Sequence, residues 1–223
     1  MPIVVHTLIH GIILGVLNLA GTFFLESFCQ DDIARLKAKK GGAELYRQAV
    51  VANFVNIGLG VPITHYLRVV YTSQAGLTLW EQVQSVIGIL VLESLFYYFI
   101  HKAFHEYRSL YWMHSFHHKF NDVVLPSTAC AVSIAEFSIA YMLPIVAGSH
   151  IMKADRISGI IASGIIGVSN LMIHSPFMTQ FEFPDWLASA SSHFRHHRKL
   201  TTDYGAPLLH FGSILGAKSA AKE

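Results

Sequence analysis

Three clusters of histidine dominate the chemistry open to this chain: His101-x3-His105, His114-x2-His117-His118 and, far downstream, His193-x2-His196-His197. Residues three and four apart share one helix face, so each cluster can aim its imidazoles at a common point. Imidazole is the commonest protein metal ligand near neutral pH and suits iron, copper, zinc and nickel, whereas only Cys29 and Cys130 could supply thiolates. Solvated surface histidines or an affinity tag would be the plain alternative, but two clusters share the H-x2-HH form and no terminal His run is present. Eight imidazoles exceed the three or four of one zinc site and fit two metals with open positions. Iron is the metal expected, because a redox-active metal with vacant positions can activate O2 as co-substrate; zinc cannot, although it could occupy the site in an isolated protein.

The elements that must carry these ligands are apolar. Of 223 residues, 52% are hydrophobic and 13% charged, and the mean hydropathy is positive, which is too apolar for an ordinary soluble domain and reads as an integral membrane protein. A formal charge of +2 carries no nucleic-acid footprint, and two cysteines make no disulfide framework. Uncharged stretches long enough to cross a bilayer occur at 3–25, 48–67 and 157–181, and two more, 82–100 and 123–152, hold one acid each, Glu93 and Glu136. The first lacks a basic n-region and is read as a signal anchor. No linker divides the chain, so a single membrane-embedded domain over 1–223 is expected. The architecture expected is an all-α bundle of four or five transmembrane helices under a histidine-rich di-metal cap; Pro126 and Pro144 leave open whether 123–152 spans fully or partly lies at the interface.

Five spans put Arg35, Lys37, Lys39, Lys40, Arg47 and the lysines and arginines of the His boxes on one side, with Arg68, Lys153 and Arg156 opposite. The positive-inside rule then makes the boxes cytosolic and the amino terminus opposite. His101 and His105 end an apolar stretch, the second box follows eight residues later, and the third lies a short way beyond the last stretch. Such a cap would meet lipid without drawing it into water.

The run H-x3-H-x8-H-x2-HH, the later H-x2-HH and the closing Tyr204-Gly205 resemble the fatty acid hydroxylase superfamily, which includes sterol desaturases, sterol C4-methyl oxidases and lipid hydroxylases. The resemblance covers about residues 85–217. Membrane acyl-CoA desaturases also use three His boxes, but separate the first two by a longer interval. Leu92-Glu93-Ser-Leu-Phe-Tyr-Tyr resembles the acidic-then-aromatic approach to the family's first box, and Ile173-His174-Ser175 its "VHSG" element, which implies that His174 also ligates metal. Asp203-Tyr204-Gly205 stands where the family has Asn-Tyr-Gly, and Phe211-Gly-Ser-Ile-Leu-Gly is similar to its "WDxLFGT" ending. The resemblance implies O2 chemistry with electrons from a donor such as cytochrome b5 and its reductase, at the endoplasmic reticulum if the source is eukaryotic.

The chain also departs from that pattern. The family's "HPxE" is Ser133-Ile-Ala-Glu136, which keeps the acid and loses an imidazole, so one metal is expected to have fewer ligands; Pro176 replaces the Gly after His174-Ser175. Glu93, two turns before His101 in an apolar helix, is expected to accept an imidazole N–H and fix its tautomer, with simple helix–helix bonding as the alternative. Glu136 stands evenly between the same two roles. Asp203 either orients a third-box histidine or belongs to a plain Asp-Tyr-Gly turn. Gly159, Gly164 and Gly167 are read as close-packing positions.

The function expected is O2-dependent oxidation, most simply hydroxylation, of a C–H bond of a lipophilic substrate such as a fatty acyl, sterol or terpenoid-like molecule taken from membrane lipid. Desaturation of the same substrate class is the alternative. A membrane metal transporter or sensor, the rival of another class, would need ligands at mid-membrane depth.

Overall fold

The computed structural model describes residues 2–72 and 76–216. Helix α1 (Pro2–Glu26) is followed by short α2 (Gln30–Lys37), then by α3 (Gly42–Val55) and α4 (Val61–Thr72), which run on through a π-helical segment, Asn56–Gly60. After α5 (Leu79–Glu106) and α6 (Arg108–His114) come 3-10 turns at His117–Phe120 and Pro126–Thr128. Helix α7 (Ile134–Glu136) continues through a second π-helical segment, Phe137–Met142, into α8 (Leu143–Ile151). Then follow α9 (Arg156–Ile173), α10 (Ala190–Lys199) and α11 (Phe211–Ile214). No strand occurs among the described residues; Leu187 and Leu209 form an isolated antiparallel bridge.

Among the described residues, five helices are long and apolar enough to cross a membrane: Val5–Glu26, Gly42–Tyr71, Leu79–Glu106, Ile134–Ile151 and Arg156–Ile173. Their outer faces carry exposed Ile12, Val16, Leu59, Ile87 and Ile161, as a lipid-facing surface requires. This is an all-helical integral membrane protein. Two of the expected spans need correction. The stretch 123–152 is not one span, because Pro126 opens a 3-10 turn and the helix begins only at Ile134. The stretch 157–181 crosses only as far as Ile173, where His174 caps the helix and Pro176 opens another 3-10 turn.

Both π-helical segments stand just ahead of a proline, Pro62 and Pro144. Proline lacks an N–H and its ring crowds the carbonyl four residues earlier, and a widened turn relieves both. The two segments meet: a Cβ on Gly60 would lie 2.2 Å from the Phe137 ring, so only glycine permits this crossing. Helix α5 starts in a capping box, with Thr78 Oγ1 accepting from the Glu81 N–H and Glu81 Oε2 from the Thr78 N–H. It packs against α8 and α9, and α1 against α4.

The far end of the bundle is closed by Arg68, which donates to the carbonyls of Asp155 and Arg156, and by Gln82, which donates to Asp155 Oδ2 at 2.6 Å. Gly159 leaves room for the Arg68 guanidinium, and Gly167 for the Asn18 side chain. At the other end α2 packs on the 120–131 loop through Ile33, Leu36, Phe120 and Leu125. Exposed Phe28, Tyr107, Trp112, Phe181 and Trp186 ring this box end, while Tyr97, Tyr98 and Phe120 of the same aromatic-rich sequence are buried.

Candidate metal centre

His101 and His105 occupy the last two turns of α5, which stops where Tyr107 turns extended. Helix α6 then brings up His114, and the tighter 3-10 turn after it presents the consecutive His117 and His118 in different directions. His174 caps α9. Helix α10 begins at a Ser189 cap and ends where Leu200 adopts a left-handed φ of 60°, with His193 and His197 on one face and His196 beside them.

The structure sorts these imidazoles into two groups. His101, His105, His114, His118 and His196 form one; His117, His174, His193 and His197 form the other, and within each group the nearest ring nitrogens all lie within 4.8 Å of one another. Nearly all are buried. The groups adjoin, with the His118 and His197 rings 4.9 Å apart. All nine histidines proposed as ligands are therefore brought together, five around one point and four around the next. Ser133, at the position of the missing imidazole, accepts the Glu136 N–H at 3.0 Å and caps the helix that carries the acid.

Proton placement decides whether the groups can hold metal. His101 Nδ1 lies 2.9 Å from the Tyr204 carbonyl, His196 Nδ1 2.7 Å from that of Thr202 and His174 Nδ1 2.7 Å from that of Asn170. A carbonyl only accepts, so each Nδ1 carries the proton and each Nε2 is left a bare lone pair. His114 is set likewise by the Glu136 carboxylate, 2.6 Å from its Nδ1. Those Nε2 atoms face one another at 2.9 Å for His101–His114 and 3.1 Å for His196–His101, and the His174 Nε2 lies 2.9 Å from that of His193. Facing lone pairs repel unless a cation lies between them. Ligands about 2.0–2.1 Å from a metal and at right angles to each other would stand about 2.9 Å apart, which is the spacing seen. His117 Nε2, buried without a hydrogen-bond partner, completes the second group. The residues fit two metal ions.

Burial and neighbouring imidazoles hold His114, His117, His193 and His197 well below the usual histidine range; burial takes His174 and His196 down to about 4. Neutral imidazole is the form that ligates.

The three acids differ. Glu136 touches one of the nine imidazoles, that of His114, directly. Glu93 does not: the expectation that it fixes a histidine tautomer is corrected by its position, where its hydrogen bond comes from Ser94 Oγ at 3.5 Å and its side chain lines a cavity below the centre. Asp203 touches no box histidine either. It accepts from Arg195 Nε at 2.6 Å, Arg195 Nη2 at 2.9 Å and Thr202 Oγ1 at 2.7 Å, and His210 Nε2 lies 3.2 Å away. Burial pushes the Asp203 carboxyl up, but hydrogen bonds from His210, Arg195 and Thr202 outweigh it and hold it below the ordinary range. Its φ of 57° is a left-handed turn conformation that Asp tolerates, and its bonds to Arg195 and Thr202 add to that turn. It pins the loop whose Thr202 and Tyr204 carbonyls fix His196 and His101.

The cavity, of about 270 Å³, lies among α1, α4, α5 and α9. Leu14, Ile57, Val61, Phe137 and Ile166 form its mostly apolar wall. It reaches the centre through Tyr97, whose ring centroid is 5.0 Å from that of His101, and through Asn170. Leu17 and Val168, 62% and 57% exposed, stand at its rim with Gly164, so it opens sideways between α1 and α9. Sequence reasoning missed the cavity, the Arg195 and His210 braces and the carbonyls of Asn170, Thr202 and Tyr204; a carbonyl leaves no mark in a sequence, while Pro62 and Pro144 were the available sign of wide turns.

A helical membrane protein with two adjoining imidazole groups at the end of its bundle and an apolar cavity beneath them is the class defined by this fold and site. A profile described as Fatty acid hydroxylase matches residues 86–217, more than half of the chain, and the chain belongs to that family, one of lipid-modifying oxygenases and desaturases. No curated protein and no solved structure matches it significantly.

Proposed function

We propose that this protein is an O2-dependent di-iron membrane oxygenase that hydroxylates, or otherwise oxidises, a C–H bond of a lipophilic substrate. The observation that carries this reading is the sorting of nine imidazoles into groups of five and four directly above an apolar cavity open towards lipid. With iron bound, the centre would supply the redox chemistry that activates dioxygen. The protein's own part is to hold and to exclude. Glu136 and the carbonyls of Thr202, Tyr204 and Asn170 keep four imidazoles in one tautomer and orientation, so the ligand set is assembled before substrate arrives. The mouth between α1 and α9 admits substrate from the bilayer. The apolar wall keeps water away from the reacting carbon and selects which carbon approaches Tyr97 and His101.

Gathering of the ligands at the span ends supports a catalyst rather than a transporter, which needs metal-binding groups along the path across the bilayer. The charge asymmetry of the loops supports a cytosolic centre, reduced by a donor such as cytochrome b5 with its reductase, at the endoplasmic reticulum in a eukaryotic cell. Tags inserted after Gly41 and at the carboxyl terminus should both report cytosol.

The decisive experiment is lipid extraction and mass spectrometry after expression of the wild type and of His117→Ala under labelled O2. A product heavier by one labelled oxygen, absent from the variant, is the expected result. A product lighter by two hydrogens would make the reaction desaturation, and identical lipid profiles would overturn the oxygenase reading.

A further inference from the structure

Glu93, Tyr97, His101 and His105 recur at four-residue intervals along α5 and so share one face of it. The upper two belong to the metal centre and the lower two line the cavity. Glu93 is thus the cavity's acid, about 12 Å of helix rise below His101, and near the middle of a membrane span.

Its surroundings do not satisfy it. It is 2% exposed, and no ion pair among the described residues includes it. Its hydrogen bond from Ser94 Oγ is at the 3.5 Å limit, and that hydroxyl also receives the Leu209 N–H at 3.4 Å. A buried acid without a good donor is costly, and inside a membrane span such a group marks a functional position. Glu136, equally buried, shows what a satisfied acid in this fold looks like, with a donor at 2.6 Å.

We propose that Glu93 is the specificity residue of the cavity: it accepts a hydrogen bond from a hydroxyl or amine on a compact lipophilic substrate and holds the carbon to be oxidised against Tyr97. This rests on the oxygenase reading above and names its substrate class. The cavity volume of about 270 Å³ lies just below the range for small-molecule sites, roughly 300–1,000 Å³, so the part of the substrate it encloses is small, a single chain or compact ring rather than two chains. Two helical turns separate the acid from the first metal ligand. Oxidation therefore falls on a carbon remote from the hydroxyl or amine, not beside it.

The test is equilibrium dialysis of radiolabelled 1-decanol, decylamine and decyl methyl ether against the metal-loaded full chain in phosphatidylcholine nanodiscs, corrected for protein-free nanodiscs. The wild type should bind the alcohol or the amine at least tenfold more tightly than the ether, and whichever binds better identifies the donor. In Glu93→Leu that ratio should fall to near one. In Glu93→Gln, which donates as well as accepts, ether binding should rise. Metal content equal to wild type in both variants shows that they fold; if Glu93→Leu does not, the wild-type and Glu93→Gln ratios decide. No preference in the wild type, or an unchanged preference in Glu93→Leu, overturns the proposal. Because binding needs no turnover, a preserved ratio with no oxygen incorporated would sink the oxygenase reading alone, and product formation without the ratio would sink only the role of Glu93.

Discussion

Glu136 Oε1 lies 2.6 Å from His114 Nδ1, with both side chains buried, so one acid from the fourth membrane-spanning helix fixes the proton of an imidazole delivered by another element. Removing a carboxylate that orients a metal-ligating histidine typically lowers metal affinity or activity about 10–100-fold. Glu136→Gln should therefore lose metal to a chelator at a correspondingly lower concentration, read by elemental analysis after dialysis, while retaining its helical circular dichroism. Metal retention equal to wild type would reduce Glu136 to a packing residue.

His117 and His118 are neighbours in sequence that serve different groups. His118→Ala leaves four imidazoles in its group, while His117→Ala leaves three in the other. Metal stoichiometry should fall further, towards one per chain, in His117→Ala than in His118→Ala. Equal losses from the two variants would contradict the division into five and four.

Asp203→Asn keeps a residue that tolerates the left-handed backbone and removes the charge that Arg195 grips. Hydrogen bonds to charged groups are worth about 1.5–3 kcal/mol, so thermal unfolding in detergent should shift down. Because this loop fixes His196 and His101, metal release should also quicken. A shifted unfolding temperature with unchanged release would confine Asp203 to stability.

Gly164 lines the cavity and is exposed, and a Cβ added there would meet nothing within 4 Å. Gly164→Trp should therefore fold and keep its metal, yet narrow the opening between α1 and α9 and reduce product formation severalfold. Full turnover would place substrate access elsewhere.

Much of this protein is legible from local pattern. Apolar runs about 20 residues long report membrane helices because the bilayer thickness sets their length, and histidines three and four apart report shared faces because the helix repeat does. The pairing of His101 with His105 and of His193 with His197 follows from that repeat alone. What the sequence could not determine is which groups meet across helices. That His196 joins the α5 histidines while His193 and His197 join His174 depends on where α10 carries its side chains relative to the ends of α5 and α9. Glu93 and Glu136 look alike as single acids in apolar stretches, yet only Glu136 reaches an imidazole; Glu93 faces a cavity that both π-helical segments help to line, through Ile57 and Phe137. Ligand type and helix face are properties of neighbours in sequence, whereas the partner of a buried acid is a property of packing between segments far apart in the chain.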